Sequence, residues 1–594
     1  MKKTTGRKAF ILMLGCLFSV WAHAFSNEKD STKIKVTGLV GIVYEGYRLS
    51  AQPESPSFVN ARKPENLVRI LFQPTISIGE FKLPFNFSFS PMQNNFVSPP
   101  FGFGNLPGFP KQSFSQWITN PVNNIGLNPS YKWIEIPLGT QYIKLSELST
   151  GDVGAFGYGI NLKPGKFRLR FFSGVNQQAY EPYVDPATNA AFAGTYKRTL
   201  TMAQIGLGKD GKYFTGFNIV RGIDDSTSVV APMVSDSVST AKPQENFIVS
   251  FVANFKSAKG WYGQTEIGTT IATRDLLLPG SNTFIKNLYP FITTNLSSYR
   301  DHAMAAAFGR KSKYWDAGIG VKWIGAGYYS MGYPFMQNDK LDYTINTRIN
   351  AFKNKLNFVA SIGQRLGNIS DSVNHTKQLI ANANLFVQMS QHLSLNANYN
   401  NFGFQTTGLT GVRNVGHDMG INPTYSWYNT VMSHLLSFTY NWSRYEEALY
   451  NSANITANNS HTAMLMYVPS FFSKPDFSTD ASIMYYKNNT DPGSIKLSMW
   501  TYSLSAGRNF PKQKLNLKTQ LQYNLTTMNT YDPGKNLLLT LAVDWNLIRR
   551  LTWNTSITVN IYKYGNELTP PASLDGARYF ENTLKSSLIY RFGG

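Results

Sequence analysis

Residues 81–90 read FKLPFNFSFS, with Phe81, Leu83, Phe85, Phe87 and Phe89 in one register and Lys82, Pro84, Asn86, Ser88 and Ser90 in the other. Successive side chains of a strand point to opposite faces, so this segment presents one aromatic wall and one polar wall. The alternation recurs along the chain. Ile34, Val36, Val40 and Ile42 oppose Lys33, Lys35 and Thr37, and near the end Leu584, Leu588, Tyr590 and Phe592 oppose Lys585, Ser587 and Arg591. Tight links such as Gly79-Glu80, Lys163-Pro164-Gly165-Lys166 and Ser257 to Gly260 join neighbouring segments into hairpins. Between the hairpins run long polar connections: 48–65, 91–129, 176–197, 223–245, 274–300, 326–341, 403–418 and 563–577.

Short turns alternating with long loops predict an all-β fold, a single large antiparallel transmembrane β-barrel with short periplasmic turns and long extracellular loops. Both ends of such a chain lie on the periplasmic side, so the strand number must be even. Parity then requires either an added strand near 419–428 or a misassigned loop, and with the added strand the total is about 26 strands (24–26). The apolar register then belongs to lipid: Phe81, Leu83, Phe85, Phe87, Phe89, Leu584, Leu588, Tyr590 and Phe592. The polar register belongs to the lumen: Lys82, Asn86, Arg168, Arg170, Lys585 and Arg591. Arg168 and Arg170 alternate with Phe167, Leu169 and Phe171, and charge on the lipid face near the midplane costs about 2–4 kcal/mol. They either favour anionic solutes or pair with inward acids and brace the wall.

The first residues have an export layout. Lys2, Lys3, Arg7 and Lys8 precede an apolar run from Ala9 to Trp21, and Ala22-His23-Ala24 supplies a small-residue cleavage site. Residues 1–24 are therefore expected to be a signal peptide and 25–594 the barrel. Cleavage removes Cys16, the one cysteine, and with it any disulfide, thiolate or cysteine-metal chemistry. A lipoprotein signal at Cys16 fits less well, because the apolar run continues through Leu17, Phe18 and Val20. No later segment has the roughly 18 unbroken apolar residues of a membrane helix.

Charge and aromatics refine this picture. The chain carries 56 basic and 34 acidic residues, but the lysines fall singly in strands and tight turns rather than on one patch. That distribution suits anionic headgroups and an anion-tolerant lumen, and it excludes a nucleic-acid binder. The 33 Tyr, 40 Phe and 11 Trp are enough for aromatic girdles at both edges of a lipid band. The expected partners are outer-membrane lipid and lipopolysaccharide, the barrel-assembly machinery that reads an aromatic-ended last strand, and a protein partner at the extracellular loops. The expected location is the outer membrane of a Gram-negative cell.

Three stretches carry a family resemblance: Gly126-Leu-Asn-Pro-Ser-Tyr-Lys-Trp133, Lys163-Pro-Gly-Lys-Phe-Arg168 and Gly327-Tyr-Tyr-Ser-Met-Gly-Tyr-Pro-Phe-Met-Gln-Asn-Asp339. With Leu393 to Phe402 they resemble a large outer-membrane β-barrel family of Bacteroidetes, porin-like in kind. The resemblance implies a location and a fold and carries no catalytic residue.

Candidate chemistry is sparse. His417-Asp418 is the nearest approach to part of a catalytic dyad, in an expected external loop, with no Gly-x-Ser-x-Gly elbow or His-Glu-x-x-His beside it. Asp224, Asp225, Asp236 and Asp371 are loop oxygens without calcium-loop spacing. No cofactor is expected and the chain does not read as an enzyme. The connection 91–129 combines repeated Pro and Gly with Phe96, Phe101, Phe103, Phe109, Phe114 and Trp117. A loop so long and apolar is a candidate pore constriction or cap. Strand-like alternation from Ile34 leaves no room for a folded plug domain ahead of the barrel. The reading is a porin-like channel or passive transporter. A non-conducting barrel subunit of a surface or secretion complex is the alternative, and an outer-membrane hydrolase is a weaker third.

Overall fold

The computed structural model describes residues 34–593 except 53–62, 64, 92–113, 120–122, 152, 185–190, 193, 230–240, 281–289, 407–412, 449–455, 493–494, 530–532 and 566–577. Nearly all of them belong to one antiparallel sheet that closes on itself. Its first strand, Ile34–Gln52, pairs with the second, Asn66–Ile78, on one edge and with the last, Arg578–Phe592, on the other. The seam runs without a break from Gly38 opposite Phe592 to Gln52 opposite Arg578. The sheet holds 28 segments, but two strands are each split in two, so 26 strands build the wall.

Proline makes both splits. Asn124–Leu127 and Ser130–Tyr131 are halves of one strand, as are Ile134–Glu135 and Leu138–Tyr142. Pro129 and Pro137 sit at the breaks, where a residue without an N–H cannot join the ladder. Their carbonyls still accept, from the Ile136 and Gly159 amides at 2.8 Å each. The first of these strands begins inside the loop expected over 91–129, so the long connection after Phe89 ends at Asn123.

A second correction falls at 403–418. Leu393–Thr406 and Arg413–Tyr428 run as paired strands through most of it, with Asn401 opposite His417 and Phe404 opposite Asn414. The stretch 419–428 is therefore a strand, as parity allows, but His417 and Asp418 belong to it rather than to a loop.

The two faces of the wall differ around the whole circumference. Phe81, Phe87 and Phe89 lie opposite Ile78, Phe72 and Ile70; Ile70 lies opposite Ile42, and Ile42 opposite Leu588. Further round, the register aligns Leu504, Leu521 and Leu539. Large apolar side chains on this outward face stay exposed, among them Ile319, Ile345, Leu504 and Leu541. Toward the turns it ends in stacked aromatics with cations over them. Trp261 stacks on Phe308 with centroids 5.3 Å apart, and the Arg310 guanidinium lies 5.4 Å from the Trp261 ring and 5.8 Å from Trp315. Trp315 and Trp323 flank Ala317, Ile319 and Val321 on this face. Eight residues of strand span about 26 Å, near the height of a hydrocarbon band.

The mid-strand pair Leu521 and Gln520 tests this polarity. In lipid, Leu521→Arg is expected to destabilise the barrel by about 2–4 kcal/mol, whereas Gln520→Arg should change stability by less than about 0.5 kcal/mol. Urea titrations of vesicle-reconstituted variants check it; equal losses would show that the faces are misassigned.

Candidate functional site

The opposite, inward face is not empty. Two connections, 143–153 and 325–339, fold onto it and onto each other. They emerge from the same long-loop end of the wall, before Gly154–Leu162 and after Trp315–Ile324, with eight strands of wall between them. The Tyr328 hydroxyl donates to the Leu148 carbonyl (2.9 Å), the Ser330 hydroxyl to the Ser149 carbonyl (2.6 Å), and the Gly151 amide to the Gly332 carbonyl (2.9 Å). Leu148, Tyr328 and Met331 are fully buried by this arrangement. Together the two connections form an internal plug.

The wall grips the plug through polar groups in mid-strand. Glu266, from Trp261–Thr273, accepts from the Ser146 hydroxyl (2.6 Å), the Leu148 amide (3.2 Å) and the Ser250 hydroxyl (2.8 Å). Asn218 donates to Ser146 Oγ (2.9 Å) and itself accepts from Gln204 Nε2 (2.8 Å). On the second connection the Tyr329 carbonyl accepts from Asn246 Nδ2 (3.1 Å) and Thr270 Oγ1 (2.7 Å), and Asn246 Oδ1 accepts from the Met331 amide (3.1 Å). Lys322 reaches Glu147 at 3.4 Å. Each buried polar atom in this set has a partner, which is what makes such a network stabilising rather than costly. Burial, and secondarily the Glu266 charge, push the Tyr328 hydroxyl up, so it remains a neutral donor.

Small residues make the space. A Cβ on Gly268 would come 2.7 Å from the Tyr328 hydroxyl, and one on Gly222 would come 2.7 Å from the Met331 side chain. Around them Ala155, Phe172, Leu200, Met202, Val220 and Ile248 form an apolar bed for Met331. An apolar patch on an inward, otherwise polar wall is a signal that something covers it. Glu266 between Thr265 and Ile267 is a second signal that the alternation alone does not register.

Below the plug, toward the turns, lies a cavity of about 740 Å³. Leu145 forms its roof, and Lys163, Arg168, Arg170, Lys209, Lys212 and Lys256 line it. Arg168 and Arg170 share the face of Phe172, which packs under Met331, and so lie on the plug's side of the wall. They differ in role. Arg168 donates to the Gly165 carbonyl (2.7 Å) and to Asp210 (3.2 Å), bracing two turns, whereas Arg170 is exposed with no bonded partner among the described residues.

The other expected lumen residues lie on the polar face elsewhere. Asn86 accepts from Gln73 Nε2 (3.0 Å), Lys585 stands 4.0 Å from Glu45, and Arg591 donates to Thr552 (3.3 Å); Lys82 is exposed. Of the expected constriction, Phe96, Phe101, Phe103 and Phe109 lie outside the described residues. Phe114 and Trp117 sit on a short helix, Phe114–Thr119, and Trp117 packs edge-on against Phe89 on the apolar face (5.7 Å) while donating to the Ser90 carbonyl (3.2 Å).

The histidine–aspartate pair does not come together. As neighbours in a strand, His417 and Asp418 point to opposite faces, and His417 Nδ1 meets the Tyr399 hydroxyl at 2.9 Å instead. Asp224 is taken up by Arg198 (2.7 and 3.0 Å), Asp225 caps its own turn at Thr227, and Asp371 accepts from the Val373 and Asn374 amides. Asp236 lies outside the described residues. Among those described, no group of three or more His, Cys, Asp or Glu is placed to hold a metal.

No protein-family model matches the chain, and no curated protein matches its sequence. Among solved structures it is similar to OccAB4 of Acinetobacter baumannii, with TM-score 0.30 and 11% identity over 64% of this chain and 97% of that one. It is similar to the FrpB iron transporter of Neisseria meningitidis (F3-3 variant), with TM-score 0.34 and 10% identity over 77% and 87%. A loop-deletion mutant of OmpT, an outer membrane protein of Vibrio cholerae, gives TM-score 0.22 and 10% identity over 66% and 99%.

Glu266→Ala strips three donors of their acceptor, each worth about 1–3 kcal/mol when left unsatisfied. The Leu148 amide should then exchange about 10–100-fold faster in hydrogen–deuterium exchange, with mid-strand amides of 515–528 unchanged. Unaltered protection at Leu148 would mean that Glu266 does not hold the plug.

Proposed function

We propose that this protein is an outer-membrane channel for passive passage of small polar solutes, with a lumen narrowed from within by the 143–153 and 325–339 plug. One observation carries the reading: among the described residues, the plug lines one arc of the wall. Beyond it the inward face is a solvent-exposed polar lining, in which Asn384, Asn396, Asn398, Asn400, Lys518 and Gln520 are all exposed. A barrel built only to present its loops has no need of a wet interior, and a polar lining beside a fixed constriction is what sets solute size in a pore. The outward apolar face and its aromatic–cation belt support residence in a bilayer, with Phe81, Phe85, Leu584 and Leu588 against lipid and Lys82, Asn86, Lys585 and Arg591 in the lumen. The motif resemblance supports a porin-like barrel of the Bacteroidetes type.

Planar-bilayer recording tests this. The purified protein should open ohmic channels, and removing both wall grips with Glu266→Ala and Asn246→Ala should raise single-channel conductance. A correctly folded barrel that conducts nothing in either form would overturn the reading in favour of a structural subunit, which would be expected to co-purify with a stoichiometric partner.

A further inference from the structure

The cavity under the plug concentrates charge that the protein does not neutralise. Six basic residues line it and a single acidic one, Asp210, stands among them, already engaged by Arg168. The other acids nearby are committed elsewhere. Glu266 accepts from Ser146, Ser250 and the Leu148 amide, Glu147 pairs with Lys322, Asp316 accepts from the Tyr262 hydroxyl at 2.9 Å, and Glu135, in the row of Arg170, accepts from Asn161 Nδ2 at 3.2 Å. Lys163, Lys209, Lys212 and Lys256 have no ion-pair partner among the described residues. Five of these six residues are exposed, so solvent and salt screen their mutual repulsion, but a recess lined by one sign of charge still raises the local concentration of anions.

We infer that this cavity is a binding site for a small, soluble anion bearing two or more negative charges of the phosphate type. The inference rests on the channel reading for its access route and deepens it by naming the solute class. Arg170 supplies a free planar guanidinium, the group best matched to a phosphate's paired oxygens, and the lysines supply point charges around it. The volume of about 740 Å³ exceeds what a lone inorganic ion needs and falls within the range of organic-ligand pockets. Phe214 and Tyr262 line the same space and offer ring faces for an uncharged portion. The cavity lies at the turn end of the wall, because Lys163, Asp210 and Lys212 belong to the turns, and Arg168, Arg170, Gln204 and Gln264 contribute to it from the inward register. The inward positions of Arg168 and Arg170 favour a dissolved anion over a membrane headgroup as the occupant.

Isothermal titration of the detergent-purified full-length protein with inorganic tripolyphosphate tests the site without reference to conduction. Saturable binding that weakens with added salt is expected, and the double variant Arg170→Gln with Lys256→Gln should bind about tenfold more weakly. Replacing Lys353 and Lys355, in a turn distant from the cavity, by Gln should leave the affinity unchanged. Absence of binding to the wild type would overturn the inference. So would equal weakening in both double variants, which would mark diffuse attraction to basic turns, or preferential binding of phosphatidic acid micelles. Binding with the expected pattern in a barrel that conducts nothing would keep the site and refute the channel.

Discussion

Everything in this structure depends on the closure of the sheet. A strand wall in an apolar medium has no water to satisfy its backbone, so an open edge would leave a row of amides and carbonyls unpaired at several kcal/mol each. The seam between Ile34–Gln52 and Arg578–Phe592 removes that edge, joining residues more than five hundred positions apart in sequence. Once the wall is closed, its two faces meet different solvents. The two-residue period of the strand then fixes which side chains stand where, and a one-residue slip anywhere would turn a whole strand inside out.

Closure also creates an interior that one layer of side chains cannot fill. The protein fills part of it with loop rather than with a separate domain, and the chemistry of the contact is largely polar. Glu266, Asn218, Asn246 and Thr270 hold backbone and hydroxyl groups of the plug, while Met331 is the main apolar anchor. Polar gripping suits a wall that stays hydrated on either side of the contact. It positions the plug by directional bonds instead of by bulk burial, and it leaves the rest of the lumen wet.

The barrel was legible because its signal repeats. Alternation in FKLPFNFSFS, in Ile34–Ile42 and in Leu584–Phe592 is the same physical statement made many times, and parity narrowed the odd count to an added strand at 419–428 or a misassigned loop. The strands at 124–142 were harder to see, because Pro129 and Pro137 interrupt the alternation just where a reader expects loop. The plug was not legible for a different reason. Leu148 and Tyr328 are 180 residues apart, and nothing local tells a loop that folds inward from one that folds outward. The connection after Phe89 stands out by its aromatic composition, yet among its described residues Trp117 lies against Phe89. The traces left in sequence were on the receiving wall: Gly222 and Gly268 where Met331 and Tyr328 enter, and a carboxylate at 266 with no basic neighbour in its own strand.

The plug bridges the two ends of an eight-strand arc that runs from Gly154 to Ile324, and the seam lies outside that arc. A tie across the inside of an arc fixes its radius. The contacts that make the tie come from residues 143 to 339, whereas the seam is made by the first strand and the last, Arg578–Phe592. The plug is thus also a brace: it holds the curvature of one arc of the finished cylinder, while the seam closes the wall outside that arc.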